Sequence, residues 1–156
     1  MNRLITFAVA SSIAAATLVA CASKGTSHAD FCPTVEKTAS AQVALSGLLN
    51  SAAPDPTEVK TALDAFRGRL SEMSDAAPKE ISANMLLVVN GFTAFDLGLQ
   101  KIDYDYNRLF TDADAAAAAQ VDMALMDAPD TQTAMAAVDS YALTKCGVAL
   151  HTRRGD

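Results

Sequence analysis

The sequence predicts an all-α protein, an up-and-down bundle of four to five helices. Three observations lead there. Apolar residues recur at alternating steps of four and three along two long stretches, which places them on one stripe of a helix. Proline, aspartate and glycine fall where helices begin and end. Neither an internal repeat nor a strand-like alternation of apolar and polar residues interrupts the pattern.

In chain order, Phe31, Val35, Thr38, Ala41, Leu45 and Leu48 define a first helix that ends before Pro54. Asp55-Pro56-Thr57-Glu58 then starts a second, with an N-cap residue, a proline at the first helical position and a glutamate placed to return the capping bond. Val59, Leu63, Phe66, Leu70 and Met73 are its inner stripe. Pro78 opens the third, on which Ile81, Met85, Val88, Phe92, Phe95, Leu99 and Ile102 keep the same step. Leu86, Leu87 and Val89 make the middle of that helix apolar on further sides, so it is expected to be the central leg, buried by several neighbours. Thr111 to Asp114 cap an alanine-rich helix running to about Met126, and Ala128-Pro129-Asp130 breaks it. A last helix is expected from about Thr131 to Cys146, with Met135, Val138, Ala142 and Cys146 facing inward and Gly147 as the left-handed residue after its end.

Ahead of the helices, Met1 to Arg3 is basic and Leu4 to Ala20 is apolar and ends in small residues, the shape of a secretory signal. Leu18-Val19-Ala20-Cys21 resembles the lipobox of bacterial lipoproteins, in which the cysteine thiol is acylated with diacylglycerol and the signal is cut just before it. The resemblance implies an exported protein anchored to the cell membrane by lipid on Cys21 and facing away from the cytoplasm. An ordinary cleaved signal, or an uncleaved anchor, with a chance cysteine is the alternative. The organisation expected is a signal peptide at 1–20, an acylated cysteine and flexible tether at 21–30, a helical bundle at 31–150 and a disordered tail at 151–156.

Three cysteines are an odd number for an exported chain. Assigning Cys21 to lipid leaves Cys32 and Cys146 to pair in an oxidising compartment. A disulfide there closes the bundle between its first and last helices, and the ends of an up-and-down bundle meet only if the number of legs is even. One of the five predicted segments, 112–126, is therefore expected to be short, tilted or continuous with a neighbour. The entry Asp30-Phe-Cys-Pro33 and the exit Lys145-Cys-Gly147, with the lipobox and the amphipathic helices, resemble small helical lipoproteins of high-GC Gram-positive bacteria. That resemblance implies the bundle and its disulfide rather than an activity.

From Cys21 onward the chain carries 11 basic and 18 acidic side chains, a net charge near −7. Nucleic acid is thereby excluded as a partner, and no basic cluster grips anionic lipid. The partners expected are the membrane, through the lipid, and an envelope protein or an apolar small molecule.

Candidate chemistry is sparse. Asp103, Asp105, Asn107, Thr111 and Asp114 fall at positions 1, 3, 5, 9 and 12 of a loop that resembles an EF-hand calcium site. The loop departs from that pattern at position 6, where Arg108 replaces glycine, and at position 12, where aspartate replaces glutamate. Without calcium, the same residues make a helix exit, a loop and an N-cap. Gly91 and Gly98 lie one heptad apart on the central helix, and such notches permit either close helix packing or an apolar ligand, lipid or haem, lined by Met85, Phe92, Phe95 and Leu99. Met123, Met126 and Met135 with His28 or His151 are conceivable copper ligands but fit core filler. Tyr104 and Tyr106 are conceivable haem ligands. No positioned base accompanies a nucleophile, so the chain is expected to be a non-enzymatic interaction or accessory module of the cell envelope.

Overall fold

Four long helices share one core, because each carries a continuous apolar stripe with nowhere to go but against the others. The computed structural model describes residues 27–150. It places α1 at His28–Leu49, α2 at Pro56–Asp75, α3 at Ser82–Gln100, α4 at Arg108–Thr111, α5 at Ala113–Met123 and α6 at Pro129–Cys146, with no strand among the described residues. Helix α1 packs on α2, α2 on α3, α3 on α6, and α6 returns to α1. Phe31, Val35, Leu63, Met73, Met85, Leu99 and Val138 are all but inaccessible to solvent inside this ring.

Local signals account for most of the helix ends. The Asp30 carboxylate accepts from the Ser27 amide and hydroxyl, which starts α1 at His28, three residues earlier than expected, and makes part of the predicted tether helical. Pro33 is accommodated close to that end. The Asp55 carboxylate accepts from the amides of Thr57 and Glu58, as the sequence predicts for α2. Pro129 opens α6, and Gly147 ends it in the left-handed region at φ 69°, with its amide donating to Leu143. Pro78 does not open α3. It closes a turn by accepting from the Ile81 amide, and the helix begins at Ser82.

Among the described residues there are six helices, above the four to five expected, because the segment after α3 contains one additional short turn, α4. Asp103 and Tyr104 both take positive φ, 53° and 61°, which stops α3 and lets the chain re-enter a helix after only a few residues. The ring nonetheless has an even number of legs. Helices α4 and α5 form an excursion that packs on α3 without joining α1, α2 or α6. With that excursion set aside, the ends of α1 and α6 meet, and the Cys32–Cys146 disulfide joins them with their α-carbons 5.3 Å apart.

Helix α3 is the central leg, touching α2, α5 and α6, yet it is less enclosed than expected. Leu86 is 60% exposed, and Leu87 and Leu97 are also exposed, because α5 is short and covers only one side. By length and composition α3 is apolar enough to cross a membrane, as the core helix of a bundle can also be. Its two internal glycines admit its neighbours. A β-carbon on Gly98 would stand 2.8 Å from the Ala119 carbonyl oxygen and almost on top of the Met123 side chain; one on Gly91 would stand 2.8 Å from the Thr131 methyl. Close helix packing is thus the use made of both notches.

Gly98→Ala is expected to destabilise the fold by about 1–3 kcal/mol despite the better helix propensity of alanine, since the Ala119 carbonyl belongs to backbone and α5 must move. Gly68→Ala, where nothing lies within 4 Å, is expected to stabilise by up to about 1 kcal/mol. Urea unfolding of both variants checks the contrast, and a Gly98→Ala protein as stable as the parent would refute the notch.

Candidate functional site

The strongest concentration of polar chemistry among the described residues is built where α2, α3 and the turn after α3 meet. Asp96 lies on the otherwise apolar α3 and is 5% exposed. A carboxylate so buried needs partners, and it has three donors. Arg67 of α2 forms an ion pair with it, Gln100 donates at 2.9 Å from one helical turn on, and the Tyr104 hydroxyl donates at 3.0 Å. The left-handed backbone at Asp103 and Tyr104 turns the chain so that the tyrosine reaches back to Asp96. Lys60 completes the shell, its ammonium 5.6 Å from the centre of the Tyr104 ring and 2.6 Å from Asp64.

Burial, then the hydrogen bond to Asp96, holds the Tyr104 hydroxyl above its ordinary pKa. With the carboxylate bonded from three sides, the cluster is a clasp between elements, and proton transfer through it would require breaking that clasp. Among the described residues, no buried side-chain nitrogen or oxygen is left without a partner, so no orphaned polar group points to a missing ligand. Position 96 is invisible to hydrophobic periodicity, which treats a charged residue on an apolar helix as a surface residue. The spacing Asp96, Gln100, Tyr104 was the available signal, three residues at steps of four with hydrogen-bonding ends.

The predicted calcium loop has other occupations. Asp105 accepts from the Asn107 amide, the Thr111 hydroxyl donates to the Asn107 carbonyl, and Asp103 is exposed. Arg108, at the position where a calcium loop needs glycine, reaches Asp103 at 3.4 Å and Asp112 at 3.0 Å. Of the predicted ligands, Asp103 thus meets a cation from the chain itself. Within the predicted capping stretch Thr111 to Asp114, Asp112 caps α5 by accepting from the Ala115 amide, and that bond, then Arg108, lowers its pKa. Among the described residues no group of three or more His, Cys, Asp or Glu side chains is placed to hold a metal ion.

The residues predicted to line an apolar pocket are divided by the fold. Met85 and Leu99 are fully buried in the core, Gly91 and Gly98 receive neighbouring side chains, and Phe92 stacks edge-on against Phe66 at 4.7 Å between ring centres. Phe92 also borders a cavity of about 20 Å³ at the junction of the four legs, with Thr38, Phe66, Leu70, Met135 and Leu150 around it. That is room for about one water, against the roughly 300 Å³ or more of a ligand pocket. The methionines serve separate places: Met123 and Met126 fill the notches of α3, and Met135 borders the cavity. His28 lies at the start of α1, its Nδ1 3.1 Å from the Tyr141 hydroxyl. Tyr106 packs edge-on against Phe110. Cys21 and His151 lie outside the described residues.

Comparison of the chain with protein-family models, with curated proteins and with solved structures returned no match. The class defined by the fold is thus a disulfide-closed four-legged helical bundle with a two-helix excursion, and the comparisons add no family to it.

The Tyr104 bond sets an alkaline limit. Its raised folded pKa means that its contribution is complete below the unfolded value of about 10 and is lost as pH rises through the folded value. Tyr104→Phe is expected to cost about 1 kcal/mol at neutral pH and to flatten the loss of stability above pH about 10. Unfolding midpoints from neutral to alkaline pH read this directly, and identical slopes for parent and variant would dismiss the assignment.

Proposed function

We propose that this protein is a lipid-anchored helical module of the cell envelope, exported and tethered through acylated Cys21, which acts by binding another molecule rather than by catalysis. One observation carries the reading: Cys32 and Cys146 are bonded to one another across the first and last legs. Such a bridge belongs in an oxidising compartment, and it leaves Cys21 as the odd thiol at the end of a lipobox-like sequence. Stable anchoring by lipid takes more than one acyl chain, which diacylglycerol supplies.

The arrangement of the polar groups supports a binding role. Asp96, Arg67 and Tyr104 are spent on holding helices together, and His28 is exposed with its ring bonded to the Tyr141 hydroxyl. Five residues lie between Cys21 and Ser27, a span of at most about 20 Å, so the bundle rides close to the bilayer with its disulfide end nearest the tether.

In the native host, the parent protein is expected in the membrane fraction, released by detergent alone, and carrying the mass of a diacylglyceryl group on Cys21. Cys21→Ala is expected to lose the diacylglyceryl mass and to retain the uncut 1–20 segment. Native protein with an unmodified Cys21, or a Cys21→Ala protein with the same N-terminus and mass of attached lipid as the parent, would overturn the anchor.

A further inference from the structure

Helix α5 is apolar on two opposite sides and covered on one. Ala115 and Ala119 are buried against α3, while Ala117, Ala118, Val121 and Leu125, on the other side of α5 and the turn that continues it, are exposed. Val121 is 77% exposed, and Phe110 in the preceding turn is 76% exposed. Helices apolar on both sides are normally enclosed on both. Here the second side is a flat alanine surface bearing two larger apolar side chains at a spacing of four residues, the relief into which the ridge of another helix fits.

Charge identifies what can lie on it. Residues 103–130 carry seven aspartates and, as their only basic residue, Arg108, for a net charge of −6. The other described residues, 27–102 and 131–150, hold ten acidic and seven basic side chains, a net charge of −3 across a much longer stretch. The acid is therefore concentrated in the segment that holds α5 and the turns on either side of it, with Asp114 and Asp122 on α5 itself. A second copy of the chain would set carboxylates against carboxylates there, and an anionic bilayer would repel the same surface. We infer that the outer face of α5 docks a basic amphipathic helix of a partner protein, with the partner's apolar stripe on Val121 and Leu125 and its lysines or arginines among the surrounding aspartates. The inference deepens the interaction-module reading and rests on it. Loss of the tether would refute the anchor without affecting the docking face, and failure of the titration below would do the reverse.

The test titrates the detergent-solubilised full chain with an amphipathic leucine–lysine peptide about 18 residues long, followed by calorimetry. Binding is expected at micromolar concentration, weakened at least about tenfold by Val121→Ser with Leu125→Ser and weakened by about 0.5 M salt. Val43→Ser, at an exposed apolar position on α1, is expected to change nothing, and circular dichroism confirms that each variant is folded. Equal affinity for a leucine–glutamate peptide, or for a lysine–serine peptide of the same charge, would overturn the inference. So would a double variant that binds as the parent does, absence of binding, or a face whose loss instead abolishes self-association or binding to phosphatidylglycerol vesicles.

Discussion

The pinning of the first leg to the last is the constraint on which the other features depend. Once Cys32 and Cys146 are joined, the ends of α1 and α6 must stand side by side, and the bundle can contain only an even number of full legs. The alanine-rich segment between α3 and α6 cannot then be a fifth leg. It is displaced outward as α4 and α5 and must find its cover on α3 alone. That demand explains Gly98, since α5 approaches α3 so closely that a single β-carbon there would strike the backbone of Ala119.

The same helix that accepts α5 on one side is fastened to α2 on another by a buried charge. Ion pairs removed from water contribute little net stability, because desolvation offsets most of the attraction. The Asp96 group gives definition instead. Three donors from three parts of the chain are satisfied only when α2, α3 and the turn at Asp103–Tyr104 are in register, and the left-handed backbone of that turn is held by what it delivers. An apolar helix with a uniform stripe can slide or rotate with small penalty; one carrying Asp96 cannot.

Where each side chain packs in a regular stripe, the sequence was sufficient. All five inner residues of α2 are buried, as are Met85, Val88 and Leu99 of α3, and the capping residues Asp55 and Gly147 act as their types demand. Legibility failed where tertiary contacts decide. Leu86 and Leu87 look like core residues from their hydrophobicity, but the displacement of α5 to one side leaves them exposed. The one-turn α4 is too short for periodicity to mark. Asp96 left a trace in the four-residue steps to Gln100 and Tyr104, but its ion-pair partner Arg67 comes from another helix and required geometry. The spacing of oxygen-bearing side chains from Asp103 to Asp114 was visible, whereas the contacts of Arg108 with Asp103 and Asp112 required geometry.

Urea unfolding of the solubilised protein with its disulfide intact, compared with Cys32→Ser/Cys146→Ser, tests the closure of the ring most directly. The bond closes a loop of more than a hundred residues, and its loss is expected to lower stability by about 2–5 kcal/mol while the helical signal before the transition is retained. Equal stability of the two proteins, or native protein in which both thiols react freely with alkylating reagent, would contradict the account.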